Sequence, residues 1–263
     1  MKTRTLATAA AVALFAPATQ AANLSGLWLF DNPTNPAEAT VGNDLIFQGT
    51  APTFAANLAD DGGNVQIGTI TTAAATNANR IRADHGIAAN GGGSFVNNYS
   101  IVADIFSPPG SRSSWRTLYQ TNTGNSNDGD YFIRPDNDNV GVGDLTYSGS
   151  PIDETAWTRL VLTVDLTLDG GDANLYLDGA LHYTHSSNPG VDGRFSLDPF
   201  LYFFTDNDGD NAPMNVAALG IYDGVLTSAE VASLGSAGDV IPEPSALLLT
   251  ATAALSFLAR RRR

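Results

Sequence analysis

Cysteine is absent from the 263 residues. That excludes a disulfide scaffold, a thiolate metal site and a cysteine nucleophile. Lysine is nearly absent too: Lys2 stands alone among the 13 basic residues, and four of the arginines, Arg260, Arg261, Arg262 and Arg263, close the chain. Between residues 5 and 242 seven Arg face 26 Asp and Glu, a net charge of −19, against −14 for the whole chain. A body that negative repels polyphosphate, so nucleic acid is excluded as a partner, while divalent cations and neutral sugars are favoured. Glutamate is scarce, with only Glu38, Glu154, Glu230 and Glu243. No nucleophile elbow or phosphate-loop signature occurs. The composition is nonetheless that of a folding chain, with 43% hydrophobic and 15% charged residues.

The two ends read as addresses. Lys2 and Arg4 precede the apolar run Leu6 to Ala16, followed by the small residues Ala18, Thr19, Ala21 and Ala22. This is the pattern of a secretory signal peptide, over residues 1–21. At the other end Pro242, Glu243 and Pro244 lead into the 14 apolar residues Ala246 to Ala259 and the terminal Arg260, Arg261, Arg262 and Arg263. Fourteen helical residues span about 21 Å, less than the hydrocarbon thickness of about 30 Å, and the arginine cluster fixes the cytoplasmic side. Residues 241–263, with Pro-Glu-Pro, a short apolar helix and an arginine run in order, resemble the PEP-CTERM sorting tail of Gram-negative bacteria. The resemblance implies an exosortase as partner, transient insertion in the inner membrane through residues 246–259, and release to the cell surface or extracellular matrix. A permanent single-span anchor is the plainer reading of the same residues.

Residues 22–240 remain as one domain. Short apolar runs separated by Gly, Asn and Asp predict strands at Leu24–Phe30, Tyr99–Phe106, Arg116–Thr121, Tyr131–Arg134, Arg159–Asp165, Asn174–Leu177, Leu181–Thr184, Phe200–Thr205 and Val216–Tyr222. Alternation is clearest in the second of these, where Tyr99, Ile101, Ala103 and Ile105 share a face. Asp178-Gly179 predicts a type I′ hairpin turn. Thr227 with Glu230 predicts a capping box opening a short helix that Gly235 ends. The expected fold class is all-β, an antiparallel two-sheet sandwich with that helix and the separate apolar C-terminal one. Residues 31–98 carry weak strand signals.

Trp157, a strand ending in Asp165, and Leu175 to Gly179 are similar to the laminin-G-like, concanavalin A-like jelly-roll family, as are Asp128 to Ile133, Asp192 to Leu197, Leu201 to Asp210 and Ala218 to Gly235. The likeness runs from Tyr99 to Gly235. It implies a jelly roll that binds glycans or proteins.

Three candidate chemistries follow. Asp206, Asp208 and Asp210 alternate around a turn and suit Ca²⁺ as a structural ion; the loop is not an EF-hand, since its twelfth position is Ala217. The competing reading is an Asx-turn network. Trp115, after the loop Ser107 to Ser111, is either core or a ligand-binding surface for a sugar ring, whereas Trp28 and Trp157 read as core. His182 and His185 point to opposite faces of a strand and make a poor metal pair. Laminarinase-type glycosidases, which share the jelly roll, use a strand motif of spaced Glu and Asp; none of the four Glu has that spacing. The function expected is therefore a secreted or surface-displayed, non-enzymatic module that binds polysaccharide or a surface protein. A purely structural matrix protein and a glycoside hydrolase stand as alternatives.

Overall fold

The computed structural model describes residues 22–73, 79–122, 129–142, 146–168, 172–186, 190–207 and 209–242. Nothing in it bears on the leader at 1–21, and of the tail it describes only Ile241 and Pro242. Asp208, Glu243, Pro244 and the 246–259 stretch lie outside the described residues, and so do Arg260, Arg261, Arg262 and Arg263. The expected apolar C-terminal helix and the arginine part of the sorting signal therefore fall beyond what the structure describes. Among the described residues, no helix is long and apolar enough to cross a membrane.

Two antiparallel sheets face each other. The first is built from β1 (Asn23–Trp28), β3 (Thr53–Ala59), β4 (Val65–Thr71), β6 (Asn98–Phe106), β11 (Thr158–Asp165), β12 (Asp172–Leu177), β13 (Ala180–Ser186) and β15 (Asn215–Asp223). Its order is β13-β12-β11-β6-β15-β4-β3, with β1 also paired to β15. The second holds β2 (Ile46–Gln48), β5 (Arg80–Ala83), β7 (Arg116–Gln120), β8 (Asp130–Ile133), β9 (Val140–Val142), β10 (Thr146–Tyr147) and β14 (Leu201–Phe203), ordered β10-β9-β8-β7-β14-β5-β2. Among the described residues one α-helix, α1 (Ser228–Leu234), and a 3-10 turn at Pro109–Ser111 complete the set.

The period of two decides what each sheet buries. Tyr99, Ile101, Ala103 and Ile105 of β6 enter the core between the sheets, where Leu160, Leu162, Tyr131, Ile133, Leu201 and Phe203 meet them. Val102 points the other way, and with Val161, Tyr176 and Tyr222 it forms a second apolar layer on the outside of the first sheet. That layer is covered by Leu226, by Val231 and Leu234 of α1, and by Ile241 of the strap that follows. Each such side chain taken from water stabilises by about 1.5–3 kcal/mol, which is why a seven-residue helix, too short to persist alone, stays folded here.

Local chemistry sets the turns. Asp178 and Gly179 both adopt positive φ (45° and 79°), as a I′ turn requires, and Leu177 pairs with Ala180 across it. The Thr227–Glu230 capping box is formed, and Gly235 (φ 72°) ends the helix. Trp28 is fully buried, its Nε1 donating to Asn43 O at 3.0 Å. Trp157, 7% exposed, precedes β11 and packs with Phe106 in a satellite cluster while donating to Leu58 O.

The helix and strap are also held by charge. Arg159 of β11 and Asp104 of β6 stand opposite in register and make two bonds of 2.7 Å in full burial. The same guanidinium donates to Leu234 O at the end of α1 and to Asp239 O of the strap, while Gly238 N donates to Asp104 Oδ2 at 3.0 Å. Burial pushes the Asp104 carboxyl up and Arg159 pulls against it.

Candidate functional site

The outside of the second sheet is different. Alternation places Tyr131, Ile133, Leu201, Phe203, Ile81 and Ala83 inward, so Phe132, Tyr202, Arg80 and Arg82 point outward. No helix covers them among the described residues. Instead the connection from β14 to β15, residues 204–214, crosses this face. Thr117 Oγ1 donates to Asp210 O at 2.7 Å, Gln120 Nε2 to Asn207 Oδ1, and Ala212 N to Trp115 O at 2.8 Å.

The crossing divides the face into two aromatic groups. On one side Arg82 lies 4.2 Å from the Phe200 ring centroid and Arg80 lies 5.3 Å from that of Tyr202. On the other, Trp115 meets Phe132 edge-on at 5.7 Å and Tyr147 at 6.2 Å. Arg134 sits over both Trp115 (5.8 Å) and Tyr147 (4.9 Å), fixed by a bidentate pair to Asp136 at 2.9 and 2.8 Å. Trp115 is half-buried and lines an open cleft of about 510 Å³ between residues 110–115 and 209–213, whose walls include Pro135, Asp210 and Asn211. Two other clefts, of about 580 Å³ beside Asn90, Asp165 and Asp223 and about 650 Å³ beside Val65, Ile67 and Asp104, have no aromatic lining.

The sequence-predicted donors are distributed as follows. Asp206 is buried and its Oδ2 accepts from Asp210 N at 3.3 Å, an Asx-type bond, while Asp210 is exposed. With Asp208 outside the described residues, Asp206 and Asp210 do not by themselves enclose a cation. Among the described residues no group of three or more His, Asp or Glu converges as a metal cage. Three other acids face arginines: Asp136 meets Arg134, Asp138 meets buried Arg116 at 3.0 Å, and Asp130 faces Arg194 at 3.8 Å.

The three described glutamates have structural duties. Glu154 bonds Arg116 and lies 3.7 Å from Arg112; burial, the largest cause, raises its carboxyl, Arg116 lowers it and Asp138 raises it. Glu38 accepts from Asn32 and Glu230 closes the helix cap. His182 and His185 do part company: His185 is buried against Tyr131 OH, and His182 meets Ser150 O near the surface. The segment just after the glycine-rich stretch 86–93 is clamped by Asp192, whose carboxylate accepts from Ser94 N at 2.7 Å, Phe95 N at 3.0 Å and Asn97 Nδ2 at 3.0 Å. These bonds, that of Asn97 foremost, hold it below the usual carboxylate range.

One buried group had no signal in the sequence. His85 is 2% exposed; Ile87 N donates to its Nδ1 at 3.0 Å and its Nε2–H meets Asp198 O, while Ser25 Oγ donates to the His85 carbonyl. Burial holds its imidazole below the usual histidine range.

A two-sheet antiparallel sandwich with this strand order has the architecture of a jelly roll. Residues 96–232 match the concanavalin A-like lectin/glucanases superfamily, and the chain belongs to it. Among solved structures it is similar to domain 4 of AbnA, a GH43 extracellular arabinanase from Geobacillus stearothermophilus in complex with arabinotriose, at 16% identity and TM-score 0.54 over 82% of this chain and 100% of that one. It is also similar to the binding domain of botulinum neurotoxin serotype D (14% identity, TM-score 0.54, 81% of this chain and 51% of that one). The receptor-binding domain of the C/D mosaic serotype is a third (14%, 0.53, 81% and 50%). At these identities the likeness is one of fold, and the chain spans about half of each neurotoxin domain. No curated protein matches the sequence.

Proposed function

We propose that this protein is an exported, non-enzymatic glycan-binding module, directed outward by its leader and by a tail that an exosortase processes, and displayed at the cell surface or in the extracellular matrix. The observation that carries this reading is the cleft beside Trp115: an accessible indole, with Phe132, Tyr147 and Arg134 around it, on the outer face of the second sheet. Sugar rings present apolar C–H faces, and a half-buried indole gains by covering them. The superfamily supports the same direction, and so does the neighbour domain crystallised with arabinotriose. In the tail, Pro242, Glu243 and Pro244 would be the exosortase signal, and Arg260, Arg261, Arg262 and Arg263 would hold its end on the cytoplasmic side.

Turnover forms no part of the proposal. A glycosidase needs two carboxyl groups flanking the scissile bond across an open groove. Of the glutamates described, each is spent on a cap, a turn or the Arg116 cluster. Calcium enters as a loop staple: Asp206, Asp208 and Asp210 would hold Ca²⁺ on the 206–210 turn and brace one wall of the cleft. The test is a polysaccharide array probed with the full chain in detergent, with and without EDTA. Retention of a polysaccharide without release of reducing ends supports the reading. No retention on any glycan removes it and favours a displayed structural protein.

A further inference from the structure

Asn211 is the least explained side chain of the uncovered face. It is 3% exposed, and among the described residues neither its Oδ1 nor its Nδ2 has a hydrogen-bond partner. Buried amides are nearly always bonded, so an unbonded one is a standing cost to the fold that a binding role explains. It lines the cleft that Trp115 lines. The bond from Ala212 N to Trp115 O at 2.8 Å ties the segment beside it to the tryptophan.

We propose that this cleft is a subsite for one ring of a neutral sugar, with Trp115 as its stacking surface and the Asn211 carboxamide as its hydrogen-bonding group. The inference rests on the glycan-binding reading and narrows it to a place and a class. The volume of about 510 Å³ suits a small polar ligand. A carboxamide presents an acceptor and a donor side by side. A vicinal diol matches that pair, one hydroxyl donating to Oδ1 and its neighbour accepting from Nδ2. A trans acetamido group holds its N–H and C=O on opposite sides and cannot meet both atoms. A carboxylate would set oxygen against Oδ1. Acidic sugars are further disfavoured by Asp210 on the rim and because Arg134, the neighbouring cation, is already engaged twice by Asp136.

Access follows from the side chain. The Asn211 amide is sealed from solvent and bonds nothing among the described residues, so rotating it toward a ring seated on Trp115 breaks no hydrogen bond. The main chain on either side stays pinned by Thr117 Oγ1 to Asp210 O and by Ala212 N to Trp115 O.

The experiment uses the full chain in detergent and five trisaccharide probes: laminaritriose, maltotriose and arabinotriose as neutral diols, triacetylchitotriose and trigalacturonate as contrasts. Titration calorimetry should show at least one neutral probe binding more tightly than both contrasts. Trp115→Ala and Asn211→Leu should each weaken it tenfold or more. The thermal midpoint of Asn211→Leu should equal or exceed that of the parent, because the lost amide bonds nothing in the protein. A lowered midpoint would show a structural amide and overturn the assignment. Neutral binding untouched by both substitutions overturns the site while the glycan reading stands. Tighter binding of either contrast through Trp115 overturns the class. Failure of all five probes overturns the subsite, and the polysaccharide array then decides the wider reading separately.

Discussion

The two sheets of this sandwich have outward faces built from the same alternation and put to opposite ends. On the first, Val102, Val161 and Tyr176 are sealed beneath α1 and the strap, and the Arg159–Asp104 pair bolts that cover down. On the second, Tyr202 lies beneath Arg80, whereas Trp115 and Phe132 stay half-buried beside Arg134 and the crossing loop, and a cleft stays open. The contrast teaches where stability and recognition are kept in one small fold. A face whose apolar residues find an internal cover joins the core; a face that keeps its rings half exposed is available to a partner.

If that division holds, substitutions on the first face should unfold the protein and substitutions on the second should not. The largest effect belongs to Asp104→Ala, which strands Arg159 uncompensated in the interior: about 3–5 kcal/mol of stability should be lost, a fall of roughly 10 °C or more in thermal midpoint for a domain of this size. An unchanged midpoint would show that the strap is not bolted by this pair. Trp157→Ala should cost about 3–5 kcal/mol and Trp115→Ala under about 1.5 kcal/mol, both read by denaturant midpoints. Equal costs would erase the distinction between plug and platform.

A subtler effect lies at the seam between the sheets, where the neutral His85 imidazole accepts from Ile87 N. Protonating Nδ1 would set two donors face to face. Its folded pKa is depressed, so the folded state resists a proton that the unfolded chain accepts below about 6.5. Stability is fully present above that pH and falls as pH drops toward the folded value, by about 1.4 kcal/mol per unit while the two states differ. His85→Gln should remove this slope in urea titrations between about pH 5 and 7. Calcium should give the change most local to the open face. A site on the 206–210 turn raises the midpoint by mass action, about 2.7 kcal/mol at a hundred times Kd; no shift on adding Ca²⁺ retires it.

How much of this was readable beforehand depended on the range of the signal. β6 announced itself because Tyr99, Ile101, Ala103 and Ile105 alternate along one strand, and the hairpin at Asp178-Gly179 and the cap at Thr227 are encoded within a few neighbouring residues. β3 and β4 were missed, since Thr53–Ala59 and Val65–Thr71 are rich in Ala, Thr and Gly and lie half exposed toward the sheet edge, so neither face is strongly apolar. β9 and β10 are too short, at three and two residues, to show a period. Lone charges within apolar runs, Asp104 and Arg159, were a legible hint of a buried pair that pairing register alone completes. Trp115 could be named as a candidate, but Phe132, Tyr147 and Asn211 reach it only through the fold. The acidic run at 206–210 has the local spacing of a cation loop, whereas nothing within a few residues of Asn211 marks its amide.

Whether the open face binds sugar without cutting it is tested most directly by affinity electrophoresis of the full chain through gels containing each neutral polysaccharide, with reducing ends assayed in the same gel. The account predicts retardation in at least one gel, abolished by Trp115→Ala in a protein that stays folded, with no new reducing ends. Migration identical in every gel, or release of reducing ends, would contradict it.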